Sequence, residues 1–221
     1  MWLRLASLFA LAKVSPVDSA LAPHQLVAAI SVGSQALGHA MRAGVHSDEG
    51  IVTLQVDLTK AFNTFSRDAM MKPVLARCPS LARFALYMYY EYSKLWIAGA
   101  NLEEPPVLSC AGVGQGDPLG PLLFALVLQP ALEHLNTHHA DAPCAAYADD
   151  IVLQCEPEVV RRAFSALQRC AQVGTAGQRW EEPLVNDAKC HAYSRSHGAA
   201  QSVSAATGAT DALRRLVITG T

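Results

Sequence analysis

Apolar residues cluster along the chain in runs of two kinds, short alternating ones and long dense ones. Ile51-Val52-Thr53-Leu54-Gln55-Val56 is β-branched at both ends and apolar at 52, 54 and 56, a strand pattern running straight into Asp57. Ser80 can cap a helix over about Leu81 to Ile97, apolar enough to be largely buried. Pro118 to Leu135 reads as a second apolar helix, opened by prolines near its first turn and closed by the polar Asn136-Thr137-His138-His139. Ala145-Ala146-Tyr147-Ala148 and Ile151-Val152-Leu153-Gln154-Cys155 are short strands on either side of Asp149-Asp150, hence a hairpin, although Asp-Asp is a poorer turn pair than Asn-Gly. Pro157 then starts a helix to about Cys170, and later strands are expected near Cys190–Ser194 and Leu216–Thr219. Gly198 to Thr210, rich in Ala, Ser, Thr, Gln and Gly, reads as a surface loop or linker. This order predicts an α+β fold, an antiparallel sheet with helices on one face.

Composition supports an ordered globule: 51% of the 221 residues are hydrophobic and 16% charged. The six cysteines stand singly, with no C-x-x-C, as expected of reduced thiols in an intracellular protein. The apolar start, Trp2 to Ala12, contains Arg4 and ends at Lys13, far short of the roughly 20 residues that span a bilayer. A buried helix is expected there, with a secretory signal as the minority alternative and no membrane partner. Net charge is −2, yet residues 60–100 hold six basic side chains (Lys60, Arg67, Lys72, Arg77, Arg83, Lys94) against Asp68 and Glu91. That excess suits either phosphate contact or an ordinary solvated helix face.

The carboxylates carry the first chemical suggestion. If β-strands bring Asp57 and the Asp149-Asp150 pair to one sheet edge, the cluster needs a counter-charge, because carboxylates buried together are costly. Hard divalent cations with oxygen ligands supply it, and two of them roughly 3.5–4 Å apart serve in-line phosphoryl transfer. Each site alone has a plainer reading: Asp57 as a helix cap, Asp149-Asp150 as a solvated turn. Between them lies Gly112-Val113-Gly114-Gln115-Gly116-Asp117-Pro118-Leu119-Gly120-Pro121-Leu122-Leu123-Phe124. It fails as a dinucleotide fingerprint, with Asp117 where the third glycine belongs, and as a P-loop, since no Gly-Lys-Ser/Thr follows.

These residues resemble the reverse transcriptase family. Gly112 to Phe124 is similar to the motif G-x-x-Q-G-x-P-L-S/G-P-x-L-F, Tyr147-Ala148-Asp149-Asp150 to the Y-x-D-D hairpin, and Asp57 to Asn63 to D-x-x-x-A-F-D/N. Leu184 to Cys190 resembles the L-N-x-x-K-C segment of non-LTR (LINE-like) enzymes, and Leu21 to Leu26 the L-x-P-x-Q segment upstream. The resemblance implies a polymerase palm over 51–197, after a helical remnant of the fingers–palm connection over 1–50. A loop and the start of a primer-grip-like strand would occupy 198–221.

It further implies RNA-directed DNA synthesis with two Mg²⁺ ions, or Mn²⁺, on Asp57, the Leu58 carbonyl and Asp149, with Asp150 adjacent. The partners implied are an RNA template, a DNA primer and a dNTP. Phe62 would lie under the incoming sugar, Gln115 and Gly116 would line the nascent base pair, and Lys189 would protonate or stabilise leaving pyrophosphate. The motif segments begin after the expected fingers basic motif and stop before a thumb. The chain is therefore expected to be inactive or weak alone, as a fragment needing its missing fingers and thumb or a larger polyprotein. A non-enzymatic retroelement remnant that binds RNA or protein is the alternative, and a nuclear site is expected by family analogy.

Overall fold

The structure, a computed structural model, describes residues 2–14, 21–27, 32–96, 99, 105–174, 178–179 and 185–211. Among the described residues, helices α1 (Trp2–Lys13) and α2 (Gly33–Ser47) precede the strand β1 (Val52–Val56). Three helices follow closely: α3 (Ala61–Thr64), α4 (Arg67–Arg77) and α5 (Pro79–Tyr89). A small pair, β2 (Ser93–Leu95) with β3 (Val107–Ser109), leads to the long α6 (Gly120–His138). The hairpin β4 (Cys144–Tyr147) and β5 (Asp150–Cys155) comes next, then α7 (Pro157–Gln172) and a two-residue pair, β6 (Val173–Gly174) with β7 (Gln178–Arg179). A 3₁₀ turn at Asp187–Lys189 precedes β8 (His191–Tyr193), α8 (His197–Thr207) and β9 (Thr210–Asp211).

The α+β expectation holds. Five strands form one sheet in the order β4-β5-β1-β8-β9, antiparallel except for the β8–β9 pair. Val52, Leu54 and Val56 pair with Cys155, Leu153 and Ile151, so the apolar alternation of β1 and β5 falls on one face. Helices α6, α7 and α8 all pack against the sheet, and the first half of α6 is buried nearly all round from Leu122 to Gln129, as its dense apolar sequence requires. The other pleat of β1 carries Thr53, fully buried, whose hydroxyl accepts from the Gln154 amide at 3.0 Å. That amide also donates to the Ala40 and Met41 carbonyls, pinning α2 to the sheet. Among the described residues no helix is long and apolar enough to cross a membrane.

Four local expectations need correction. The helix expected over Leu81–Ile97 ends at Tyr89, and Ser93–Leu95 are a strand. Arg67 donates to the Glu91 carbonyl (3.4 Å) and the Ser109 hydroxyl (3.1 Å), which holds the chain in a turn, and Ser93–Leu95 then pair with Val107–Ser109 in place of a further helical turn. The expected loop at Gly198–Thr210 is mostly α8. Ser196 caps it by accepting from the Ala199 amide (3.4 Å), Gly208 closes it at φ +74°, and Ala200, Val203 and Thr207 are buried.

The start of the chain is helical but not buried. Trp2 is 79% and Phe9 68% exposed, and only Ser7 is enclosed, because apolar residues run all round α1 and no single neighbour can cover them. The hairpin turn is Ala148-Asp149, not Asp149-Asp150, since Asp150 already pairs with Tyr147. The strand expected at Leu216–Thr219, and with it the primer-grip-like end of 198–221, lies outside the described residues.

Candidate active site

Sheet register brings the carboxylates together. With Val56 opposite Ile151 and Tyr147 opposite Asp150, the chain leaves β1 at Asp57 on the edge where the β4–β5 hairpin turns through Asp149. Burial pushes the Asp149 carboxyl above the usual aspartate range; its own backbone amide draws it down, and the negative charges of Asp150 and Asp57 push it up again. Asp150 is exposed and accepts from the Gln55 amide at 3.4 Å. The backbone of Asp57 is held on both sides: its N–H donates to the Cys190 sulfur (3.4 Å) and its carbonyl accepts from the Asn186 amide (2.9 Å). Leu58 bridges Val185. The segment Val185–Cys190, matched from the sequence only as a motif, is thus tied directly to Asp57, and Lys189 is exposed on its 3₁₀ turn.

Gln25 is the residue that sequence reasoning passed over. It is fully buried; its amide donates to the Ala148 carbonyl (3.1 Å) and its oxygen accepts from the Ala148 N–H (2.9 Å). Ala148 sits at φ +56°, a left-handed conformation costly for a residue with a Cβ, roughly 1–2 kcal/mol. The side chain of Gln25 therefore does for the turn what a ladder partner does for a strand, and it fixes the residue next to Asp149. The available signal was the L-x-P-x-Q resemblance, which carried no role.

The glycine segment is laced to α3. Gly112 N–H donates to the Phe65 carbonyl and Val113 N–H to the Phe62 carbonyl, each at 2.8 Å. Gly112 has φ +60°, and a Cβ there would collide with the Phe62 carbonyl and the Asn63 backbone, so only glycine fits. This lacing sets Phe62, Gln115 and Gly116 along one groove with Asn63, Asp117 and Arg4 of α1. Phe62 is half-buried, its ring 4.9 Å from that of Phe124 on α6, while Gln115 and Gly116 are exposed at the groove.

Two further side chains hold the segment from behind. Tyr89 donates to Asp117 and accepts from the Gly114 amide (3.2 Å); burial first, then the bond to Asp117, push its hydroxyl well up. Arg67, almost fully buried, donates to the Gly112 carbonyl (3.1 Å) and lies over the Tyr89 ring at 5.3 Å.

The structure therefore brings Asp57 to the edge where Asp149 turns, and Phe62 to Gln115 and Gly116. Asp150 is turned to Gln55 and Lys189 faces solvent. Among the described residues no basic side chain forms an ion pair with Asp57, Asp149 or Asp150, and no group of three or more His, Cys, Asp or Glu side chains could hold a metal ion. Two carboxylates without an ion-pair partner among the described residues suit a hard cation that completes its shell with water and substrate oxygens.

Comparison with known proteins shows the family. The family model for reverse transcriptase (RNA-dependent DNA polymerase) matches residues 14–206, and the chain belongs to that family. It is 31% identical over 117 residues to a probable RNA-directed DNA polymerase from transposon BS of Drosophila melanogaster, covering 51% of this chain and 13% of that protein. It is 27% identical over 161 residues to a retrovirus-related Pol polyprotein from the type-1 retrotransposable element R2 of Popillia japonica, covering 68% of this chain and 25% of that one. Both relatives belong to non-LTR elements, and the chain spans a quarter or less of their length. A structure of apo telomerase from Candida tropicalis, truncated from its C-terminal domain, superposes with a TM-score of 0.50 at 10% identity, over 85% of this chain and 39% of that one. The likeness is one of fold, a palm-like α+β polymerase layer. Reverse transcriptases use divalent metal ions.

Proposed function

We propose that residues 51–197 are the palm of an RNA-directed DNA polymerase, holding two Mg²⁺ ions, or Mn²⁺, between Asp57 and Asp149 with the Leu58 carbonyl as a further ligand. The observation that carries this reading is the pairing of β1 with β5, which delivers Asp57 and Asp149 to one sheet edge, where no described basic side chain forms an ion pair with either. When bound, the ions activate a primer 3′-hydroxyl and stabilise the oxygen leaving the α-phosphate.

The chain's own residues do the rest. Asp57 and Asp149 place the charge that organises the triphosphate, while Asp150 adds field without being a ligand. The Phe62 ring, braced by Phe124, occupies the space a 2′-hydroxyl would need, which selects a dNTP by sterics. Gln115 offers donor and acceptor to the nascent pair, and Gly116, with open space where a Cβ would stand, allows the template base to come close. Lys189 stabilises or protonates the departing pyrophosphate. The RNA template and DNA primer would be held together with parts of a longer protein, in a nuclear compartment.

The test is Mg²⁺- or Mn²⁺-dependent extension of a DNA primer on an RNA template, paired with Mn²⁺ binding followed by electron paramagnetic resonance. Extension lost in Asp149→Ala, with Mn²⁺ affinity falling in both Asp57→Ala and Asp149→Ala, supports the reading. Mn²⁺ affinity unchanged in both variants would overturn the metal assignment.

A further inference from the structure

The C-terminal turn of α6 ends in His134-Leu135-Asn136-Thr137-His138. Leu135 is buried, whereas His134 and His138 are exposed and stand one helical turn apart. Their rings lie against each other, with centroids 4.1 Å apart and planes 27° from parallel. Two imidazoles at i and i+4 on one helix face are the arrangement by which helical H-x-x-x-H segments hold zinc. The tautomer is set as well. His138 Nδ1 lies 2.9 Å from the His134 carbonyl, which can only accept, so Nδ1 carries the hydrogen and Nε2 is left with the lone pair. A backbone carbonyl bonded to the other ring nitrogen is what orients a metal-binding imidazole. The scaffold beneath is fixed. Asn136 donates to the carbonyls of Leu132 (2.9 Å) and Cys144 (3.1 Å) and accepts from the Cys144 amide (3.2 Å), and the His139 N–H closes the helix on the Leu135 carbonyl (2.7 Å). The acids nearest in the chain, Glu133 and Asp141, are engaged by Arg77 and Arg162, and the carbonyl end of the helix favours a cation.

We propose that His134 and His138 together chelate a divalent transition-metal ion of the zinc class, through Nε2 of His138 and a ring nitrogen of His134, with water in the remaining positions. The chemistry separates this site from the carboxylate edge, since imidazole suits borderline-soft ions while Mg²⁺ takes oxygen. So does its place: it precedes β4, whereas Asp149 follows the far end of that strand. Among the described residues no group of three or more His, Cys, Asp or Glu side chains could hold a metal, so the ion has two protein ligands and binds less tightly than in a closed four-ligand site. Leu135 stands where helical zinc hydrolases carry their glutamate base, so the ion binds without hydrolytic chemistry. Its effect is to clip the last turn of α6 in the folded form and, through Asn136, to steady the start of the hairpin. None of this depends on the polymerase reading.

Isothermal titration of Zn²⁺ into the full 221-residue chain, with Mg²⁺ in excess to occupy oxygen sites, measures the binding. Wild type is compared with His134→Gln, His138→Gln, Asp149→Ala and Cys110→Ser, the last because Cys110 is an exposed thiol. Each glutamine variant is expected to lose about tenfold or more in Zn²⁺ affinity, while Asp149→Ala and Cys110→Ser stay within about twofold. Zn²⁺ should raise the melting temperature of wild type and leave both glutamine variants unmoved. In the ¹⁵N spectrum of the histidine rings of the wild-type chain, Zn²⁺ should shift Nε2 of His138 while Nδ1 keeps its hydrogen, a readout that holds even where a variant folds poorly. Equal affinity of wild type and both glutamine variants overturns the proposal. So does an affinity that disappears in Cys110→Ser, since the ion would then sit on a thiol, or a His138 ring that Zn²⁺ leaves unshifted.

Discussion

The two halves of the site are held in different ways. At the carboxylate edge, Asp57 and Asp149 take their places from strand register, a ladder of backbone hydrogen bonds reinforced by the Gln25 clamp and the Asn186 contact. On the groove side, Gln115 and Gly116 hang on a segment whose conformation depends on Gly112 and on two side chains, Arg67 and Tyr89. A ladder distributes its stability over many bonds, so no single side chain decides it. A segment held by a few buried side chains is open to disruption at each of them. The carboxylates proposed to carry the chemistry are thus on the more redundant scaffold, and the residues proposed to read the substrate are on the more adjustable one.

Asp149→Ala is the substitution expected to separate chemistry from scaffold most sharply. Whatever primer extension the chain supports should be lost, by up to about a thousandfold, while thermal stability holds or rises as like-charge repulsion is relieved. A large loss of melting temperature would mean that the edge is not independent of its carboxylate. Gly112→Ala should be the most damaging on the groove side, costing about 3 kcal/mol or more in urea unfolding, from positive φ and backbone collision together.

Arg67→Met should follow at roughly 2–3 kcal/mol, because it leaves the Gly112 and Glu91 carbonyls without their donor. Its effect on extension should appear mainly in the KM for dNTP if the groove is the part displaced. Gln25→Ala should cost about 2 kcal/mol by leaving the Ala148 amide unpaired. If the ladder alone holds the turn, neither stability nor extension will change.

The smallest effect concerns Glu133, remote from both halves. Burial pushes its carboxyl up, but hydrogen bonds from Arg77 (2.8 and 2.6 Å) and Gln129 prevail, and the net pKa lies below the ordinary 4.5. A depressed folded value means the stabilisation is present above that ordinary value and lost as pH falls through the lower, folded one. With Glu133 38% exposed, solvent screening keeps the pair to no more than about 1 kcal/mol. Glu133→Gln should therefore lower stability slightly at neutral pH and flatten its decline below pH 4.5.

How much was legible follows from where the information lies. The strand before Asp57, the hairpin strands, α6 and α7 were readable because each is a strong local pattern: alternation in a strand, or a dense apolar run with prolines at its start. The motif residues were readable by resemblance. The α8 helix was missed because its small residues look like a linker until Ser196, Gly208 and the buried stripe Ala200, Val203, Thr207 are weighed together. The end of α5 was missed because Arg67, some 24 residues away in the chain, holds Glu91 outside the helix.

The sequence by itself therefore determined the α+β class, through local periodicity, and the family, through the resemblance of its motifs, which also singled out Asp57, Asp149, Phe62 and Gln115 as candidates. The tertiary structure alone decided that Gln25, 123 positions from Ala148, clamps the turn beside Asp149, and that Tyr89 and Arg67 hold the groove while Tyr87 and Tyr90 face water. Those outcomes depend on contacts between segments far apart in the chain, whose cost and gain are settled only when the whole core packs.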